Sequence, residues 1–261
     1  MNVPVEVAGG VWVGVSERFV TNTTVVRLDA EACLVVDPAV DPPDLADVVG
    51  WIASESLEVA AGWSTHPHWD HVLWCTGLGA DAPRYSTHDN AELCKARRSE
   101  LIAHLDGSSP GHELDLCGRL TGVEPAAFGA LSAHGCRVVE HSAHAPGHGA
   151  LLFSDLGVFL AGDMVSDVEI PLLDSEAGDP LGDYLSALEL YEELVGNVGV
   201  FVPGHGGHGD GAELGRRIEQ DRAYLAGLAA GRPADDPRLA TPWLALEHER
   251  HVKLVARTSR S

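Results

Sequence analysis

The sequence predicts an α/β fold built from two strand-rich halves, and three observations carry that prediction. Short runs rich in β-branched residues recur between Val5 and Thr65 and again between Cys136 and Val202. Segments with apolar residues at helical spacing lie between and after them. No stretch of the 261 residues is composed like a linker, so residues 1–261 read as one domain.

The elements follow in order. Val5 to Val15 alternates around Gly9-Gly10 as a β-hairpin would, and Asn22 to Leu28 and Ala32 to Asp37 read as strands parted by a polar turn. Pro42-Pro43 opens a helix running to Ser54, with Leu45, Val48, Val49 and Ile52 on one face. Leu57 to Thr65 is a strand that delivers a histidine-rich loop, followed by a short helical segment towards Gly79 and a short strand, Pro83 to Thr87. Asn90 to Leu105 is predicted as one amphipathic helix. Gly107 to Ala133 shows no period and reads as a connecting excursion, so that the region around 95–135 is a possible lid. Cys136 to Glu140, Ala150 to Phe153, Val158 to Ala161 and Val198 to Val202 are predicted strands. Leu181 to Leu194, Asp210 to Ala230 and a C-terminal segment, 242–256, are predicted helices.

Composition excludes several classes. With 39 acidic against 17 basic residues the net charge is −22, and the only lysines are Lys95 and Lys253. Binding to nucleic acid or an anionic membrane rests on clustered Lys and Arg, so neither partner is expected. The expected partner is a small molecule. Five scattered cysteines without a Cys-x-x-Cys pair read as reduced, buried thiols, and no secretory signal or membrane-spanning run is visible. The expected compartment is the cytoplasm.

The chemistry concentrates in Ser64-Thr65-His66-Pro67-His68-Trp69-Asp70-His71. His66 and His68, two apart in extended chain, project to one side. Asp70 and His71 are adjacent and diverge unless the chain turns, so the simplest geometry sends the two pairs to neighbouring metal ions. Imidazole with carboxylate suits Zn²⁺, with Fe or Mn as alternatives, and the lack of cysteine points to a catalytic rather than a structural site. Three further stretches end strands in ligand-type residues: His141-Ser142-Ala143-His144-Ala145-Pro146-Gly147-His148, Gly162-Asp163, and Pro203-Gly204-His205. Within them His141 and His144, like His208 beyond, read as satisfied loop or supporting histidines, and Cys75 reads as core.

The ordered set His-x-His-x-Asp-His, Pro-Gly-His, Gly-Asp, Pro-Gly-His resembles the metallo-β-lactamase superfamily over residues from about 10 to 210. The resemblance implies a four-layer αββα sandwich with the site at one edge between two sheets. It implies one metal held by His66, His68 and His148, a second held by Asp70, His71 and His205, and Asp163 bridging both. Two divalent ions sharing a water would give a hydroxide nucleophile near neutral pH, with Asp70 as the catalytic residue that orients it and takes its proton. The expected activity is a metallo-hydrolase with two Zn, cleaving an ester, thioester, lactone or amide of a small molecule.

Trp69 and His88 are the candidate substrate-binding residues, and Asp167 and Glu169 make the loop after Asp163 acidic for a binder of anions. Within the superfamily, a β-lactamase or phosphodiesterase branch and a mononuclear iron persulfide dioxygenase-like oxidoreductase are the alternatives. A glyoxalase II would carry basic residues in a C-terminal helical region, where this chain has only Arg250, Lys253 and Arg257. Lactonases of the acyl-homoserine type carry a tyrosine where Ser166 stands here.

Overall fold

The computed structural model describes residues 1–124, 133–232 and 235–258. Two sheets face one another. The first contains β1 (Val5–Ala8), β2 (Val11–Val15), β3 (Asn22–Arg27), β4 (Ala32–Val36), β5 (Glu58–Trp63), β6 (Arg84–Thr87) and β7 (Thr121–Val123), in that spatial order. β1 to β4 pair antiparallel, whereas β4 to β7 pair parallel. Parallel neighbours need crossovers. Helix α1 (Pro42–Ser54) makes the first, the histidine-rich loop lies in the second, and α2 (His88–Ala96) with α3 (Arg98–Ser108) makes the third.

The second sheet contains β8 (Cys136–His141), β9 (His148–Phe153), β10 (Val158–Gly162) and β11 (Val200–Pro203), ordered β11-β10-β9-β8. Helix α4 (Pro180–Glu192) crosses between β10 and β11, and α5 (Gly211–Ala229) and α6 (Pro242–Thr258) follow.

Period-two alternation sorts the side chains into layers. Leu34 and Val36 of β4 meet Leu151, Val158, Leu160 and Val202 between the sheets. Cys33 and Val35, one residue out of phase, pack on Leu45, Val48 and Ile52 of α1. Phe159 and Ala161 of β10 face Tyr184, Leu188, Leu214 and Ile218 of α4 and α5. Three apolar layers therefore separate helix, sheet, sheet and helix, the αββα order.

Two segments differ from the sequence reading. The single helix predicted over 90–105 is broken at Arg97, whose φ of −106° and ψ of 17° end α2 and start α3. Beyond the break, the Arg98 guanidinium donates to the carbonyls of Cys117, Leu114 and Asp115, pinning the start of α3. The excursion read over 107–133 contains β7, too short at three residues to show a period, which pairs with β6. Residues 125–132, part of the possible lid, lie outside the described residues. Helix α3 does border the site, through Leu101 and His104.

Candidate metal centre

The ends of β4, β5, β10 and β11 and the β8–β9 loop meet at one edge of the sandwich. Just past β4, Asp37 is buried and fixes the histidine-rich loop. Its Oδ1 accepts from the Thr65 amide at 2.9 Å, and its Oδ2 accepts from Thr65 Oγ1 at 2.6 Å and His71 Nδ1 at 3.0 Å. Asn90 supports the loop from α2, donating to the Ser64 carbonyl at 3.2 Å.

Two groups of donors result. His66, His68, His144 and Asp163 bring ligand atoms within 4.8 Å of one another, and so do Asp70, His71 and His205. Asp163 links the groups, with Oδ2 3.4 Å from His66 Nε2 and 3.2 Å from His205 Nε2. A third trio, Asp163, Glu169 and His205, adds a carboxylate that the sequence reading placed only in the loop.

The outer ring nitrogens set the tautomers. His71 Nδ1 donates to Asp37, His205 Nδ1 to the Phe19 carbonyl at 3.1 Å, and His144 Nδ1 to the Leu172 carbonyl at 3.2 Å. Thr65 Oγ1 already donates to Asp37, so at 3.0 Å it accepts from His66 Nδ1. Each neutral ring then turns an Nε2 lone pair inward. His71 Nε2 and His205 Nε2 stand 3.2 Å apart, and His68 Nδ1, 3.0 Å from His66 Nε2 and 2.9 Å from His144 Nε2, can donate to only one of them. Lone pairs at such spacing repel unless a cation sits among them.

Asp163 Oδ1 makes the same demand. It is buried, and His71 Nε2, 3.2 Å away, can give it a proton only when that ring is charged. Burial alone would push His71 and His205 down. The carboxylates outweigh it: Asp163, Asp70 and Asp37 hold His71 well above its usual value, and Asp163 and Glu169 raise His205 to about 9. Burial likewise favours the neutral form of Asp163, but His205, His71 and His66 hold it well below the usual carboxylate range. The site favours positive charge, and a divalent cation on these donors would supply it. The donor set fits zinc chemistry, with nitrogen and oxygen ligands and no sulfur.

The structure corrects the third position of the first group. His144, not His148, converges on His66 and His68. His148 is fully buried, stacked between His66 and His141 at ring separations of 5.3 and 4.4 Å. Its Nε2 accepts from the Asp163 amide at 3.2 Å, and so faces the end of β10 instead of the donor cluster. Gly162 makes room for it, since a Cβ there would stand 2.3 Å from His148 Nε2. His144 reaches the cluster because its backbone takes a left-handed turn, φ 67°, which no ligand spacing announces. His141 is satisfied by Tyr191, and His208 is exposed.

Trp69 lines the cavity beside the cluster. His88 does not: it is exposed at the start of α2, against Gly122 of β7. Trp74 and Cys75 belong to the apolar layer around α1. Sequence reasoning missed Asp37, although a carboxylate ending an apolar strand is the signal it used for Asp163. It also missed Phe19 and Trp243, which wall the cavity from distant parts of the chain.

The loop after β10 is clamped by two buried arginines. Arg238 Nη1 donates to the carbonyls of Ser166 and Glu169 at 2.9 and 2.8 Å and to Asp221 at 2.7 Å. Arg217 Nη1 donates to the carbonyl of Val165, a β-branched residue held at φ 54°. Such a conformation costs of order 1–3 kcal/mol and persists only where the surroundings impose it. Gly204 lets β11 close on the same loop, because a Cβ there would lie 1.9 Å from Asp163 Oδ1.

No family model matches the sequence, and no curated protein matches it. Solved structures match the fold. A β-lactamase domain protein from Burkholderia ambifaria superposes with a TM-score of 0.66 at 23% identity, covering 87% of this chain and 74% of that one. The DIM-1 metallo-β-lactamase exposed to ceftazidime gives 0.61 at 16% identity, covering 84% and 96%. The metallo-β-lactamase FIM-1 from Pseudomonas aeruginosa, in a mono-zinc form, gives 0.57 at 15% identity, covering 85% and 95%. This chain has the metallo-β-lactamase fold.

Proposed function

We propose that this protein is a metal-dependent hydrolase that cleaves an ester, thioester, lactone or amide bond of a small molecule. The observation that carries the reading is the convergence of imidazole nitrogens on the buried carboxylate of Asp163, His66, His144 and His205 at Oδ2 and His71 at Oδ1, beside an open cavity of about 570 Å³. His66, His68 and His144 would hold one cation, Asp70, His71 and His205 a second, and Asp163 would lie between them. Zinc is the first choice for this donor set, with Fe or Mn compatible. When bound, such a pair supplies a water of near-neutral pKa and a Lewis acid for the carbonyl oxygen.

The chain's own residues do the rest. Asp70 lines the cavity and is placed to orient the attacking water and accept its proton on the carboxylate. Asp37, Thr65 and the Phe19 and Leu172 carbonyls hold the imidazoles in the tautomer that ligation needs. Trp69 forms part of the wall against which substrate packs.

The test is metal quantification on protein purified without chelator, joined to a screen of esters, thioesters, lactones and amides. Two equivalents of metal per chain, with turnover lost on chelation and restored by zinc, are expected. One iron per chain with oxygen-dependent consumption of a persulfide would replace the hydrolase reading with an oxidoreductase.

A further inference from the structure

We infer that the substrate presents an uncharged, apolar group to the mouth of the site and carries no carboxylate or phosphate away from the scissile bond; the inference rests on the hydrolase reading. The first support is the wall. Phe19 meets Trp69 and Trp243 edge-on at ring separations of 6.3 and 6.5 Å, and Leu101 and Leu172 extend the apolar surface. Trp243, near the start of α6, and Phe19 remain exposed, an apolar patch at the rim of a cavity.

The wall is held in place at a cost. Phe19 and Val20 are consecutive non-glycine residues at φ 56° and 55°, and a β-branched residue there is strained. Their carbonyls accept from His205 Nδ1 and from the Gly206 amide at 3.0 Å. The aromatic wall and a candidate metal ligand are therefore fixed by one strained turn.

The second support is charge. Beyond the two main donor groups, the acidic side chains lining the cavity are Glu169, Asp174 and Glu247, and no Lys or Arg is among its described lining residues. An adjoining recess of about 330 Å³ holds Arg97, already paired with Glu176 at 2.5 Å. A substrate anion would be stripped of water beside carboxylates, without a free guanidinium or ammonium to receive it. An ammonium group is not favoured either, because Glu247 is engaged by Arg250, Asp174 accepts from the Glu176 amide and Glu169 is buried.

The experiment uses the metal-loaded full chain and three esters of equal size ending in tert-butyl, trimethylammonium or carboxylate, with their ether analogues for calorimetry. The tert-butyl compounds should exceed the carboxylate ones at least about tenfold, in kcat/KM and in affinity. Trp243→Ala should narrow the gap by raising KM for the tert-butyl ester with kcat held, and Glu247→Lys should improve the carboxylate ester. Equal or better use of the carboxylate ester overturns the inference, and so does a tenfold preference for trimethylammonium. Turnover of all three esters without discrimination removes this inference and leaves the hydrolase reading standing. Discrimination among the ethers with no turnover of any ester removes the hydrolase reading and leaves the apolar bay.

Discussion

Asp37 and Asp163 occupy equivalent places in the two sheets, each a buried carboxylate just past an apolar strand. Asp37 spends its oxygens on an amide, a hydroxyl and an imidazole N–H. Asp163 sets its oxygens among imidazole nitrogens, and His71 can give Oδ1 a proton only when its ring is charged. The first carboxylate is complete as folded, whereas the second is complete only with added positive charge. The contrast is between a carboxylate whose oxygens are taken up by fixed donors and one set among imidazoles that could share a cation with it.

The sharpest way to break that comparison is Asp163→Asn. Removing the linking carboxylate while keeping its shape should lower hydrolytic kcat/KM by more than about 1,000-fold, the several kcal/mol that a lost metal role represents. Bound metal should fall below two per chain, and the Tm of the metal-free protein should fall as well, because His71 and His205 lose the carboxylate that favours their charged forms. Retained metal stoichiometry would mean that this carboxylate holds no cation.

His144 and His148 carry the same test to a pair four residues apart. His144→Ala should remove one of two metal equivalents with a small change in Tm. His148→Ala should leave both equivalents and cost about 2–4 kcal/mol of stability, the price of emptying a packed interior position. Elemental analysis and denaturant unfolding on both variants decide it, and the reverse pattern would return the ligand role to the Pro-Gly-His motif.

Spacing could not tell these two histidines apart. His66, His68, Asp70 and His71 lie within six residues on a loop leaving a strand, where spacing converts directly into direction, and they divide between the two donor groups. The β8–β9 loop offers His141, His144 and His148, and direction there depends on a left-handed residue and on which nitrogen a backbone amide claims. Neither is written in spacing. The αββα layers were legible only through the resemblance of the ordered motifs, because Cys33 to Val36 and Val158 to Ala161 are apolar throughout and their alternation between two layers shows only in the packing. The break at Arg97 was hidden because the carbonyls that hold Arg98 lie some twenty residues away.

Asp37→Asn should have a middling effect. Its amide can replace only one acceptor oxygen, so either Thr65 or His71 loses its partner. Metal affinity measured by chelator competition should fall about 10–100-fold, the usual range for a group that orients a ligand. A larger loss than Asp163→Asn produces would invert the comparison.

The smallest effect tests whether a fully partnered histidine on the cavity wall behaves as scaffold. His251 accepts from the Leu173 amide at Nε2 and meets Tyr224 Oη through Nδ1. Burial, reinforced by His248, pushes it down to about 4. Its unfolded counterpart takes up a proton near 6.5, so folding forfeits that proton over the window between 6.5 and 4. The stability it confers is therefore full above pH 6.5 and declines as pH falls towards 4. At pH 5 the loss is about 1–2 kcal/mol after allowance for partial exposure. His251→Gln should flatten the pH dependence of urea unfolding between pH 7 and pH 5 by that amount while leaving bound metal at pH 7 unchanged. A change in metal stoichiometry would show that a satisfied ring can still belong to the centre.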